Sequence, residues 1–166
     1  IGGRTIQNNN FKAKYINSPE TNFFKKGSNL YNLDLARKLS NKIESVFLVE
    51  GYMDVLSLNS SGFTNVISNS GIALTENQIS LIWKFFSNPI ICLDGDDSGQ
   101  RAALRIAERL ITLINEDNKI YFSILPKGQD PDDFIKKNGK ENFLSFLNSK
   151  KIIQNYIWET YSTEIK

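Results

Sequence analysis

Between residues 46 and 125 the sequence switches repeatedly between two periodicities, and that alternation limits the fold more than any other feature. "VFLVE" (46–50), "TNVISN" (64–69), "IICLD" (90–94) and "KIYFSIL" (119–125) are short β-rich runs. Between them, "MDVLSL" is helical in character, and "TENQISLIWKFF" opens with a Thr75-x-x-Gln78 capping box. A third helix is expected from about Ser98 to Asn115, with Ala103, Ala107, Leu110 and Ile114 on one face. Strands joined by crossover helices build an α/β fold, a mainly parallel sheet covered on both faces.

The flanks read differently. Residues 1–27 are punctuated by Gly2, Gly3, Asn8 to Asn10, Pro19 and Gly27, which predicts strand and loop. Leu30, Leu33, Ala36 and Leu39 then follow helical spacing. After Pro126 the composition shifts again: Pro131 starts a helix, and Phe143, Phe146 and Leu147 continue helical spacing, so a small helical appendage is expected.

The chain contains no histidine and one cysteine, Cys92, inside an apolar run. That excludes a Ser-His-Asp triad, a Cys-His pair, an internal disulfide and a zinc site of imidazole or multiple thiolate ligands. Chemistry must rest on carboxylates, Lys or Arg, hydroxyls and hard metal ions. Cys92 reads as a small buried apolar residue, and Trp83, Phe85 and Phe86 as core packing. Trp158, Tyr156 and Tyr161 read as cover for a surface whose partner domain lies elsewhere. No apolar stretch approaches bilayer length, and "IGGRTIQNNN" lacks a charged-then-apolar signal pattern, so a soluble, cytoplasmic chain without membrane contact is expected.

Charge is distributed unevenly. Residues 1–42 carry eight Lys/Arg against two acids, and the remainder carries twelve against sixteen. A basic strip ahead of an acidic body suits phosphate binding by the first and divalent metal by the second.

Two of the expected strands end in an acid followed by glycine, Glu50-Gly51 and Asp94-Gly95. Ligands of open parallel sheets sit at the carboxyl ends of strands, so the two acids share a crevice if their strands are neighbours. Residues two apart at a strand end face the same way, so Asp94 and Asp96 converge. Gly95 then admits a phosphate or metal to the backbone, and Asp97 belongs to the start of the next helix. The same "DGDDSG" reads equally as a polar turn. An EF-hand is excluded, because its twelfth position here is Arg105 and a strand precedes it. An aspartyl nucleophile of the haloacid-dehalogenase type stays open but leaves Glu50 idle.

"VEGYMDVLSL", "GIALT" (71–75), "ICLDGDDSGQRAA" and "LPKGQDPDDFI" together resemble, in order and spacing, the Toprim region of bacterial DnaG-type primases. "KYINSPET" and "FFKKGSNLY" resemble the segment that precedes it, and the likeness is weakest after about residue 145. The resemblance implies a Toprim, Rossmann-like sheet over residues 43–127, preceded by the end of a basic subdomain (1–42) and followed by the helical end of the core (128–166). It implies an enzyme that makes short RNA primers on single-stranded DNA during replication. Glu50, Asp94 and Asp96 would hold divalent metal, Mg²⁺ or Mn²⁺; Asp130 and Asp132 would line the same site, and Asp54 would support it. Arg4, Lys14, Tyr15 and Lys26 match the basic ridge that holds template or nucleotide phosphates, with Tyr15 able to stack on a base.

Implied partners are single-stranded DNA, ribonucleoside triphosphates, the RNA primer and, through a region absent here, the replicative helicase, with the chain itself monomeric. The family's zinc module is also absent, so a fragment of the catalytic core is expected. Ile72 stands where the family commonly has Thr, and Ser98 where it commonly has Ala. Two other readings share these residues: another Toprim enzyme, a topoisomerase or nuclease, and a metal- or nucleic-acid-binding module without turnover.

Overall fold

The computed structural model describes residues 2–4, 15–69 and 73–164; the side chains of 2–4, 15–17 and 164 lie outside that description. Strands β3 (Phe47–Val49), β4 (Val66–Ser68), β5 (Ile90–Leu93), β6 (Tyr121–Ile124) and β7 (Lys151–Ile152) form one sheet in the order β4-β3-β5-β6-β7. The first four are parallel and β7 is an antiparallel edge. A separate ribbon pairs β1 (Gly2–Arg4) with β2 (Tyr15–Asn17).

Alternation within the strands divides the core in two. On one face Phe47, Val49, Val66, Ile90 and Cys92 are buried with residues of α2 (Tyr52–Ser60) and α5 (Pro131–Asn148). On the other, Leu48, Ile67, Ile91, Leu93 and Phe122 are buried with α1 (Leu33–Ala36), α3 (Glu76–Trp83), α4 (Asp97–Leu110) and Ile153 of α6 (Ile153–Glu164). Both faces of each central strand are therefore dry, which accounts for the near-continuous apolar runs. Cys92 is fully buried, as expected of a small apolar residue, and burial pushes its thiol far up.

Three local features differ from expectation. The helix expected around Leu30 to Leu39 is a single turn, α1, continued by a 3₁₀ turn at Arg37–Leu39. Asn32 interrupts it with left-handed backbone (φ 65°) and donates from Nδ2 to the Val66 carbonyl at 2.8 Å. The C-terminal residues are helical, but they also supply β7, and α5 is broken at Gly139, whose φ of 76° and ψ of 175° no other residue adopts readily. Tyr156 stacks on Phe122 (centroids 4.9 Å apart) and so packs against its own sheet instead of awaiting another domain, whereas Trp158 is exposed.

The capping box has a second task. Thr75 accepts from the Gln78 N–H at 3.1 Å and donates to the Gly27 carbonyl at 2.6 Å. Gln78, fully buried, donates from Nε2 to the carbonyls of Lys26 and Asn29. The start of α3 thus fixes the basic lead-in, and Tyr31 pairs with Ser68 on the open edge of β4.

Candidate metal centre

The strand order reverses direction at β3. The chain leaves β3 through α2 to β4 on one side, then returns through α3 to β5 on the other. β3 and β5 are neighbours, and their carboxyl ends form the crevice at which open α/β sheets bind ligands. Glu50 follows β3 and Asp94 follows β5, so the structure brings together the two acids that the sequence left conditional. A backbone hydrogen bond from Asp94 reaches the Glu50 carboxylate.

Three helices start around this crevice and each places an acid there. Asp96 is the N-cap of α4; its Oδ1 accepts from the Gly99 N–H and from the Ser98 hydroxyl, both at 2.7 Å. Asp130 is the N-cap of α5 and accepts from the Asp133 N–H at 2.7 Å. Asp54 lies in the first turn of α2 and accepts from the Gly51 N–H at 3.0 Å. Helix starts favour negative charge, so these acids satisfy backbone donors while keeping a second oxygen for another partner. Asp97 is the first residue of α4, as expected.

Asp132 is placed differently. Its carboxylate accepts from Lys136 and from the Ser57 hydroxyl of α2; the second bond ties α5 to α2, and both hold its pKa below the usual carboxylate range. Gly95 also has another task than admitting a ligand. A Cβ there would lie 2.0 Å from the Pro126 carbonyl oxygen, so the space is filled by the neighbouring loop.

Electrostatics separate the acids into two sets. Exposed Asp96 is held below its ordinary value, first by the Gly99 N–H and then by Ser98. Asp94 is pushed up to about 7 by burial and by the charges of Glu50, Asp54, Asp130 and Asp96. Asp54 is pushed up to about 6, chiefly by burial, and Glu50 is also raised by burial and by Asp96. The buried Oδ1 of Asp94 has no hydrogen-bond partner.

Among the described residues no group of three acids is drawn together tightly enough to hold one ion as it stands. The donor set nevertheless fits Mg²⁺ or Mn²⁺: every donor is a hard carboxylate oxygen, one is an orphaned buried atom, and their mutual repulsion is what a divalent cation relieves. Glu50, Asp94 and Asp96 are the residues that would hold it, with Asp54 and Asp130 beside them.

A pH dependence follows. In the metal-free folded chain Asp94 and Asp54 keep protons that unfolded aspartates lose near 3.8. The folded state therefore binds more protons between about pH 4 and 7, and stability falls as pH rises through that window. Asp96 and Asp132, with lowered values, act below it. Thermal midpoints in EDTA are expected to fall from pH 5 to 7.5, and the stabilisation by added Mg²⁺ to grow over the same range. A midpoint in EDTA that climbs across this window would contradict the assignment.

Of the basic candidates, Lys14 lies outside the described residues, as do Gly71 and Ile72 of the "GIALT" motif. Arg4 and Tyr15 are directly paired across the β1–β2 ribbon. Lys26 opens a 3₁₀ turn (Lys26–Ser28); its N–H donates to Glu20 and its carbonyl accepts from Gln78. Sequence reasoning read Gln78 only as the capping-box partner of Thr75 and missed that it positions Lys26, because its burial and its bonds to the carbonyls of Lys26 and Asn29 arise only in the fold.

A family model described as Toprim-like matches residues 47–135, more than half of the chain and all of the acids above. The chain belongs to the Toprim-like family. A second model, the N-terminal domain of the DNA primase catalytic core, matches residues 1–37 of this Toprim chain. It is 40% identical over 159 residues to the DNA primase of Rickettsia bellii, an alignment covering 96% of this chain and 26% of that one. A DNA primase domain from Pseudomonas aeruginosa superposes with a TM-score of 0.91 at 32% identity, covering 98% of this chain and 50% of that one. A DnaG primase catalytic domain bound to single-stranded DNA gives 0.86 at 33% identity, with 96% and 51% coverage. The Toprim chain thus spans about a quarter of the curated relative and half of the solved domains. Among the described residues no helix is long and apolar enough to cross a membrane.

Proposed function

We propose that this chain is part of the catalytic core of a DNA primase, which joins ribonucleotides into short RNA primers on a single-stranded DNA template. The observation that carries the proposal is the closeness of Glu50 and Asp94 at the ends of the neighbouring strands β3 and β5, with Asp96 capping the helix that follows. Residues 1–42 form the trailing part of a basic subdomain, 43–127 the Toprim domain and 128–166 the helical end of the core.

Divalent metal, when bound, lowers the pKa of the primer 3′-hydroxyl and neutralises charge developing on the triphosphate. The protein's own part is to place hard oxygens. Asp94 brings a carboxylate whose charge its neighbours oppose, and Glu50 brings a second one from just beyond the end of β3. Asp96 is fixed in one orientation by Gly99 and Ser98, which keeps it ionised. Ser98, where the family commonly has Ala, therefore adds a hydrogen bond to a ligand residue. Arg4, Lys14, Tyr15 and Lys26 would bind template or nucleotide phosphates, and Gln78 holds Lys26 in place. Contact with the replicative helicase belongs to a region outside this chain, and the chain acts as a monomer in the cytoplasm.

The test is primer synthesis by the full-length protein on single-stranded DNA with Mg²⁺ and ribonucleoside triphosphates. Glu50→Gln is expected to lower the rate by about 100-fold or more, the scale for losing one electrostatic group at a reacting centre. Undiminished synthesis would refute the role of Glu50.

A further inference from the structure

A pocket of about 210 Å³ adjoins the acidic crevice on the α4 side of the sheet. Its apolar floor includes Leu74, Leu93, Ala102 and Ile106, and its polar wall is Glu50, Asn69, Arg105 and Arg109. The arginines are four apart on α4 and so lie one above the other on a single face. Arg109 is tethered, donating from Nη1 to the Leu74 carbonyl at 3.2 Å. The bond uses one of a guanidinium's five N–H donors and fixes the plane of the rest.

We propose that this pocket receives the β- and γ-phosphates of the incoming nucleoside triphosphate, and afterwards the pyrophosphate product. The inference rests on the nucleotidyl-transfer reading above and extends it to residues outside the acid set. Two guanidinium groups against one carboxylate leave the pocket positive, while the crevice beside it, with Asp94, Asp96, Asp54 and Asp130, is negative. Glu50 belongs to both. A metal-bound triphosphate has the matching polarity: the cation meets carboxylates and the anionic tail runs toward arginines, which grip phosphate oxygens in a bidentate fork. The volume is below that of sites for whole drug-sized ligands and suits a phosphate tail rather than a complete nucleotide.

In the reaction the primer 3′-oxygen bonds to the α-phosphorus, the bond from the α-phosphorus to the α–β bridging oxygen breaks, and its electron pair leaves on pyrophosphate. The hydroxyl proton passes to solvent. Arg105 and Arg109 stand where the leaving group gathers charge.

The test uses the 166-residue chain, its Arg105→Ala/Arg109→Ala double variant and the corresponding double lysine variant. Each is titrated by calorimetry with MnCl₂ alone, and then with inorganic pyrophosphate in excess Mg²⁺. All three are expected to bind Mn²⁺ equally, while the alanine variant binds pyrophosphate at least ~10-fold more weakly and the lysine variant recovers part of the loss. Equal pyrophosphate affinity in wild type and alanine variant overturns the inference, as does a parallel loss of Mn²⁺ and pyrophosphate in the alanine variant. A wild-type chain that binds no Mn²⁺ overturns the functional reading instead.

Discussion

Replacing Gly95 with alanine is expected to lower the thermal midpoint of the chain by about 10 °C, the scale of a few kcal/mol of overpacking in a domain of this size. The new Cβ would stand 2.0 Å from the Pro126 carbonyl oxygen and 2.4 Å from that of Leu125. Both obstacles are backbone and cannot rotate away. They are also held in place: the Leu125 N–H donates to the Leu93 carbonyl at 3.1 Å, Gly95 N–H to Gln129 at 3.0 Å and Gly128 N–H to Gly95 at 3.3 Å. The loop after β5 and the loop after β6 are zipped together at the one place where a side chain would separate them. Gly99→Ala meets the same obstacle within α4, with its Cβ 2.1 Å from the Asp94 carbonyl oxygen. Gly27→Ala serves as control, since its Cβ meets only the Thr75 methyl at 3.5 Å. Calorimetric melting in EDTA checks all three. A fall of less than about 2 °C for Gly95→Ala would show that the loops part freely.

Since Gly95 and Gly99 also set the positions of Asp94 and Asp96, fold and site share these contacts. That is where sequence reasoning reached its limit. Short-range features were legible: the four parallel strands carry apolar runs, Thr75 and Gln78 cap α3, and Asp97 opens α4. Features set by residues distant in sequence were not. Asn32 shortens α1 through a bond to Val66, 34 positions away, and Asp132 turns toward Ser57, 75 positions away. β7 has two residues, too few for an alternation of period two to register. Gly95 suggested an opening for a ligand because local pattern cannot report that another loop fills the space. The acids were legible as a set because each begins or ends an element. Their separation into raised and lowered members depends on burial and on mutual distance, which only the assembled sheet supplies.

Asp94→Asn is expected to raise the stability of the metal-free chain and sharply weaken its metal affinity. At pH 8 without metal, ionising Asp94 works against burial and against Glu50, Asp54, Asp130 and Asp96. Asparagine keeps the shape and removes that charge, so the variant melts several degrees above wild type in EDTA. At pH 5 the wild-type carboxyl, with a value of about 7, is already protonated, and the advantage disappears. The gain in stability must therefore grow with pH between 5 and 8, a dependence that a packing effect would not show. Metal reverses the order. Removing an outer partner of a metal ligand already weakens binding by 10–100-fold, so loss of a ligand itself is expected to weaken Mn²⁺ by at least ~100-fold. Mn²⁺ at a concentration that saturates the wild type then stabilises it by mass action and stabilises the variant much less. The repulsion that weakens the free chain is the same quantity that a cation recovers on binding, so one substitution moves the two measurements in opposite directions. An Asp94→Asn chain that melts below wild type at pH 8 in EDTA, or that keeps wild-type Mn²⁺ affinity, would remove Asp94 from the metal centre.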